Sequence, residues 1–141
     1  PLTGAVVVTT PQSVALADAK KAIAMFKMEN INVPIIGLVE NMSWFTPLKH
    51  PEEKYYIFGE NGGEYLSKSL DISLLGKIPI IQSIRQSGDA GRPAVLQQET
   101  IIEKYYDDFC EVLILNIVKR NTNIEKTKVV EVEYGEPKCS N

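Results

Sequence analysis

Apolar residues follow two rhythms along this chain. Short unbroken runs, Gly4–Thr9 (GAVVVT), Val33–Val39 (VPIIGLV) and Leu74–Pro79 (LLGKIP), alternate with longer stretches in which apolar side chains recur every three or four positions. The unbroken, β-branched runs suit strands buried on both faces of a parallel sheet. Between the first two runs, Leu16, Ala19, Ile23 and Phe26 form a stripe at helical spacing, while Asp18, Lys20, Lys21 and Lys27 fall elsewhere. The turn Thr9-Thr10-Pro11-Gln12 therefore leads into a helix that should run to about Asn30, with a threonine as N-cap and proline at the first helical position. Pro34 fits the start of the second strand better than its middle. This β-α-β order predicts a right-handed crossover.

An excursion follows the second run. Trp44 to Pro51 carries too much proline and charge for a core element, and Tyr55–Phe58 reads as a short strand or hairpin arm. Gly59-Glu-Asn-Gly-Gly63 then turns the chain into a helix ending near Leu70, before the third strand. A short helix is expected around Ile80 to Ser87, a loop at Gly88–Pro93, and a long amphipathic helix over Gln98–Lys119 through Ile102, Tyr105, Phe109, Leu113 and Ile117. After Arg120 the pattern fades, leaving Val129–Tyr134 as an edge strand or part of a tail. The expectation is an α/β fold with a partial doubly wound, mainly parallel sheet in residues 1–120, and a tail over 121–141. Such sheets bind ligands at the carboxyl ends of their strands, which here are Thr9-Thr10, Glu40-Asn41 and Pro79-Ile80.

Composition narrows the classes. A chain of 141 residues at 44% hydrophobic content suits one domain with a core. A net charge of −3, with both signs interspersed, provides no field to attract nucleic acid or an anionic membrane, so neither is expected as a partner. Cys110 and Cys139 lie far apart without a C-x-x-C, which supports neither a disulfide framework nor a single-chain metal site. Cys110 should face the core from the long helix, and a reducing cytoplasm is the simplest compartment. No apolar run approaches the roughly 20 residues that span a bilayer, and the first residues lack a leader pattern. A buried strand at the very start, without an initiating Met, suggests a piece of a longer chain.

Asn41 stands out chemically. An amide leaving a buried strand offers an acceptor and two donors that can match an adenine edge, although turn capping explains the same residue. The Gly59–Gly63 segment lacks the spacing, lysine and Ser/Thr of a phosphate-binding loop.

The succession VVVTTPQSVALADAKKAIAMF, VPIIGLVENMSWF, YYIFGENGGEYLSKSL and LLGKIPIIQSIRQSGDAGRPAV, covering about residues 3 to 96, resembles the C-terminal half of the nucleotide-binding domain of the Mrp/ApbC family. These are P-loop ATPases related to MinD and the nitrogenase iron protein, associated with carrying or assembling iron–sulfur clusters. The resemblance implies a parent that uses ATP and magnesium, closes as a homodimer, and works with iron–sulfur acceptor or scaffold proteins. It implies that Asn41 holds the adenine edge, with Pro79 and Ile80 as an apolar wall. Asp18 would lie near the dimer face, where a solvated helix carboxylate is the competing reading, and Thr9 and Thr10 would lie close to the site. The family's phosphate loop and magnesium-binding aspartates belong to its N-terminal half, so this segment alone should not hydrolyse ATP.

Many members also carry a C-x-x-C after the Asn-Met-Ser segment for a shared cluster. The Trp44–Tyr55 interval has no cysteine, and its His50, beside Glu52 and Glu53, reads as solvated surface. An iron–sulfur cluster thus remains an implied cargo without its usual ligands. The rival expectation is a noncatalytic, MinD-like interaction module or partner switch. A MinD-like membrane-positioning role fits less well, because the last residues show no basic amphipathic anchor.

Overall fold

The three apolar runs become three neighbouring parallel strands in the order β1-β2-β3: β1 (Ala5–Thr9), β2 (Ile35–Phe45) and β3 (Leu74–Ile80). The computed structural model describes residues 2–47, 49–50, 52–96 and 100–127. Helix α1 (Ser13–Phe26) connects β1 to β2 and α2 (Gly62–Leu70) precedes β3. After β3 come α3 (Gln82–Asp89), a single 3-10 turn at Ala94–Leu96, and the long α4 (Ile101–Asn123). Val7 lies opposite Leu38, Thr9 opposite Glu40, Glu40 opposite Lys77 and Asn41 opposite Ile78, so the polar strand ends line up across the sheet.

Helices pack on both faces of the sheet, but on the α4 side the buried cluster is built from β2 and β3, and Val6 and Val8 of β1 stay exposed. On one side Val7 and Leu38 pack with Ala19 and Ile23 of α1 and Leu66 of α2. On the other, Val39, Leu75 and Ile78 meet Phe109, Val112 and Leu113 of α4. Leu38 is fully buried, and burial of such a side chain contributes about 1.5–3 kcal/mol. Asn116 of α4 donates its amide to the Ile36 carbonyl at 3.0 Å, fixing that helix along the sheet. Buried Arg120 wraps the exit from α4, donating to the carbonyls of Ile124 (3.3 Å) and Glu125 (2.7 Å). No helix among the described residues is long and apolar enough to cross a membrane.

Several boundaries differ from the sequence expectation. The N-cap of α1 is Gln12 in extended conformation, not a threonine, and Pro11 lies ahead of the cap. Both threonine hydroxyls are otherwise engaged: Thr9 donates to the Thr10 carbonyl at 3.1 Å and Thr10 to the Gln12 side chain at 3.5 Å. Helix α1 ends at Phe26 rather than near Asn30, because the Val33 amide returns to the Phe26 carbonyl at 2.9 Å and Asn32 takes a left-handed conformation. Strand β2 continues to Phe45, beyond the apolar run. The Tyr55 arm is one antiparallel bridge to Phe45, with both hydrogen bonds at 2.8 Å. Helix α4 starts at Ile101 behind a Thr100 cap and runs on to Asn123. Cys110 is exposed rather than core, since α4 turns it away from the side that meets the sheet. Val129–Tyr134 and Cys139 lie outside the described residues.

Candidate functional site

The carboxyl ends of β1 and β2 open onto a cleft of about 460 Å³ lined by Val8, Thr9, Thr10, Asp18 and Asn41, together with small residues of α1. Four of the six site residues expected from sequence therefore share one surface. Their environments differ. Thr9 is buried, whereas Asp18 is exposed and pairs with Lys21 at 3.2 Å across one helical turn, the geometry of a solvated carboxylate. Pro79 and Ile80 end β3; Pro79 is buried, and Ile80 lines a separate, largely apolar hollow of about 560 Å³ with Phe45, Pro47, Ile81 and Gln82. The structure thus gathers four of the expected residues on one cleft and puts Ile80 on another, while Pro79 lines neither.

Asn41 sits where β2 changes direction. Its side-chain oxygen accepts the Met42 amide at 3.0 Å, and Met42 itself has a φ of 55°, in the left-handed region. The pairing with β3 loses register between Asn41 and Phe45 as a result. The amide oxygen keeps a second lone pair, and the two donors of the side-chain nitrogen have no partner among the described residues. Capping and ligand contact are compatible roles for this residue.

Glu40, one residue earlier, was not singled out by sequence reasoning. It is almost fully buried, and its Oε2 accepts the Gly63 amide at 2.6 Å. That amide belongs to the first turn of α2, whose own cap residue, Asn61, makes no side-chain capping bond. A carboxylate from a neighbouring strand therefore fills the helix N-terminus, where the backbone dipole favours negative charge. The Gly59–Gly63 turn is thereby committed to a protein carboxylate, in keeping with its lack of a phosphate-loop sequence. The available signal was the acidic residue itself, because a glutamate in a doubly covered strand needs a buried partner.

A second tie joins the same helix to β3. Lys77 donates to Asn61 Oδ1 at 2.7 Å and to Glu64 Oε2 at 2.8 Å, while Lys68 reaches Glu64 Oε1 at 2.7 Å. The hydrogen bond from Lys68, then that from Lys77, hold the Glu64 carboxyl down at a pKa of about 2.

The excursion after β2 folds back onto Trp44. Lys54 lies 4.3 Å from the centre of the indole ring, and Tyr105 meets that ring edge-on at 5.7 Å. On this loop His50 Nδ1 is 3.4 Å from Glu52, and the Tyr55 hydroxyl donates to Glu53. Potential ligand atoms of His50, Glu52 and Glu53 lie within 4.8 Å of one another, but all three residues are exposed, as such groups often are without an ion. Nitrogen and carboxylate donors do not match the thiolate set that typically holds iron–sulfur clusters.

A three-stranded parallel sheet with crossover helices and polar residues toward its carboxyl edge defines a protein of the doubly wound α/β class. MinD from Pyrococcus furiosus shares this fold, with a TM-score of 0.58 at 23% identity over 80% of this chain and 43% of its own. The chain belongs to the family described as NUBPL iron-transfer P-loop NTPases, whose model matches residues 1–114. The iron–sulfur cluster carrier protein of Synechocystis is 47% identical over 98 residues, which make up 70% of this chain and 27% of the relative. A nucleotide-binding protein from Archaeoglobus fulgidus, solved in complex with ADP, superposes with a TM-score of 0.59 at 31% identity, covering 74% of this chain and 41% of its own. The chain thus spans between about a quarter and two fifths of the lengths of these proteins.

Proposed function

We propose that this segment serves in an iron–sulfur cluster carrier or transfer protein, where it supplies the base-facing side of an ATP site and part of a homodimer face. The observation that carries the reading is Asn41, held at the bend in β2 beside a cleft with its amide donors unpaired among the described residues. An adenine edge presents an acceptor nitrogen beside an amino donor, the complement of that amide. Pro79 and Ile80 would flank the base, and Asp18 would lie toward the second protomer. Kinship with carrier proteins and the ADP-bound structural relative support the same choice over a noncatalytic interaction module.

Phosphate positioning and magnesium binding would come from sequence outside these 141 residues, and no phosphoryl-transfer step follows from the side chains present. The iron–sulfur cluster is cargo in this reading. Its thiolate ligands would also lie outside the Trp44–Tyr55 interval.

Two measurements test the proposal. In the full-length protein, Asn41→Ala should weaken ADP binding by about three- to tenfold, the equivalent of one or two hydrogen bonds of ordinary strength. Titration calorimetry showing unchanged affinity would sink the base-contact role. Anaerobic reconstitution, read as iron and sulfide per dimer alongside ATP turnover, should yield a stable cluster. ATP hydrolysis without cluster uptake would instead favour a partner switch.

A further inference from the structure

We infer that Glu40 is the positioning residue for Asn41, and that docking of α2 onto β2 thereby sets the base-recognition geometry. The inference rests on the nucleotide-base reading of Asn41 and adds the element that aims it. Glu40 is held at both its side chain and its main chain. Its Oε2 accepts the Gly63 amide at 2.6 Å, and its carbonyl accepts the Ser43 hydroxyl at 2.8 Å. Ser43 is as deeply buried as Glu40, at 1% exposure each. Asn41 and Met42 lie between these two anchors.

The bend itself is locally unfavourable. A methionine in the left-handed region costs free energy relative to an ordinary strand conformation and persists only where its surroundings over-determine it. The Glu40 and Ser43 contacts fix the residues on either side, and the Asn41 side chain closes the turn from within. Close packing leaves this clamp little slack. A Cβ built on Gly63 would come within 2.9 Å of the Glu40 Cβ and 3.0 Å of Oε2, so only glycine allows this approach. Release of Glu40 would let Asn41–Met42 relax toward a regular strand, turning the Asn41 amide from its present direction. Groups that bind phosphates would be unaffected.

That separation provides the test. In the full-length protein, affinity is measured by titration calorimetry for ADP and for inorganic tripolyphosphate, which has no base. Glu40→Ala and Ser43→Ala should each weaken ADP binding by about five- to tenfold, in line with loss of one well-placed hydrogen-bonding residue, and leave tripolyphosphate affinity unchanged. Glu40→Gln retains an acceptor oxygen of the same reach and should restore ADP affinity to within about threefold. A purely structural role for Glu40 would lower both affinities together, and that result overturns the inference. So does an unchanged ratio of the two affinities in Glu40→Ala, provided that Asn41→Ala changes it. If Asn41→Ala also leaves the ratio unchanged, the base reading fails first and the positioning role falls with it. Should Glu40→Ala fail to fold, the Ser43→Ala and Glu40→Gln pair decides.

Discussion

Gly63 and Glu40 show how much can depend on one missing methyl group. Alanine at position 63 would push its Cβ against both the Cβ and the carboxylate of a buried residue, and neither neighbour has space into which to retreat. Gly63→Ala should therefore destabilise the chain by about 1–3 kcal/mol, the usual cost of overpacking, measured as a lower urea midpoint with an unchanged slope. Part of this was legible in the sequence. Asn41 was visible as an amide leaving a buried strand, and Thr9, Thr10 and Asp18 lie on the same cleft. The Glu40–Gly63 bond was not visible, because it joins residues 23 positions apart and depends on how α2 lies against the sheet. Cys110 was misplaced for a related reason: small differences in helix rotation decide which residues of α4 meet the sheet, and the apolar pattern of that helix is broad.

Elements were easier to read than their ends. Each apolar run became a strand and each periodic stretch a helix, since two-sided burial and one-sided burial leave different signatures. Ends failed where tertiary contacts overruled local preference. Strand β2 continues through polar Asn41 and Ser43 because pairing with β3 and the Tyr55 bridge carry it to Phe45. The start of α1 moved to Ser13 because neither threonine hydroxyl turns to cap it. The α2–β3 tie has its own pH signature. Glu64 titrates near 2 in the folded chain instead of its ordinary 4.5, so its contribution is complete above about pH 4.5 and is lost as pH falls through 2. Removing one cation with Lys77→Met should shrink the drop in urea midpoint across that acid interval, whereas an identical drop in variant and parent would show that the tie contributes nothing.

Across the whole molecule, the sheet is asymmetric. Strands β1 and β3 each have one strand neighbour among the described residues, but β3 is packed by α4, whereas Val6 and Val8 of β1 expose apolar side chains, Val8 at 60%. A free edge with apolar side chains is a template for pairing, so the 141-residue chain should self-associate as its concentration rises, and Val8→Lys should suppress this. Sedimentation velocity showing a monomer at all concentrations would contradict that expectation. The parallel α/β character of the sheet was readable from sequence; the strand order and the separation of Ile80 from the cleft that holds Asn41 were not, because both depend on tertiary placement.

The capping of α2 by Glu40 also bears on the order in which the chain acquires structure. Nine residues are too few for a helix to persist alone in water, and α2 lacks a side-chain cap of its own. The carboxylate at its first turn arrives only when β2 is in place beside it. Consolidation of α2 therefore waits on a contact made across the intervening excursion, and the helix should gain its protection from solvent exchange together with the central strand rather than before it.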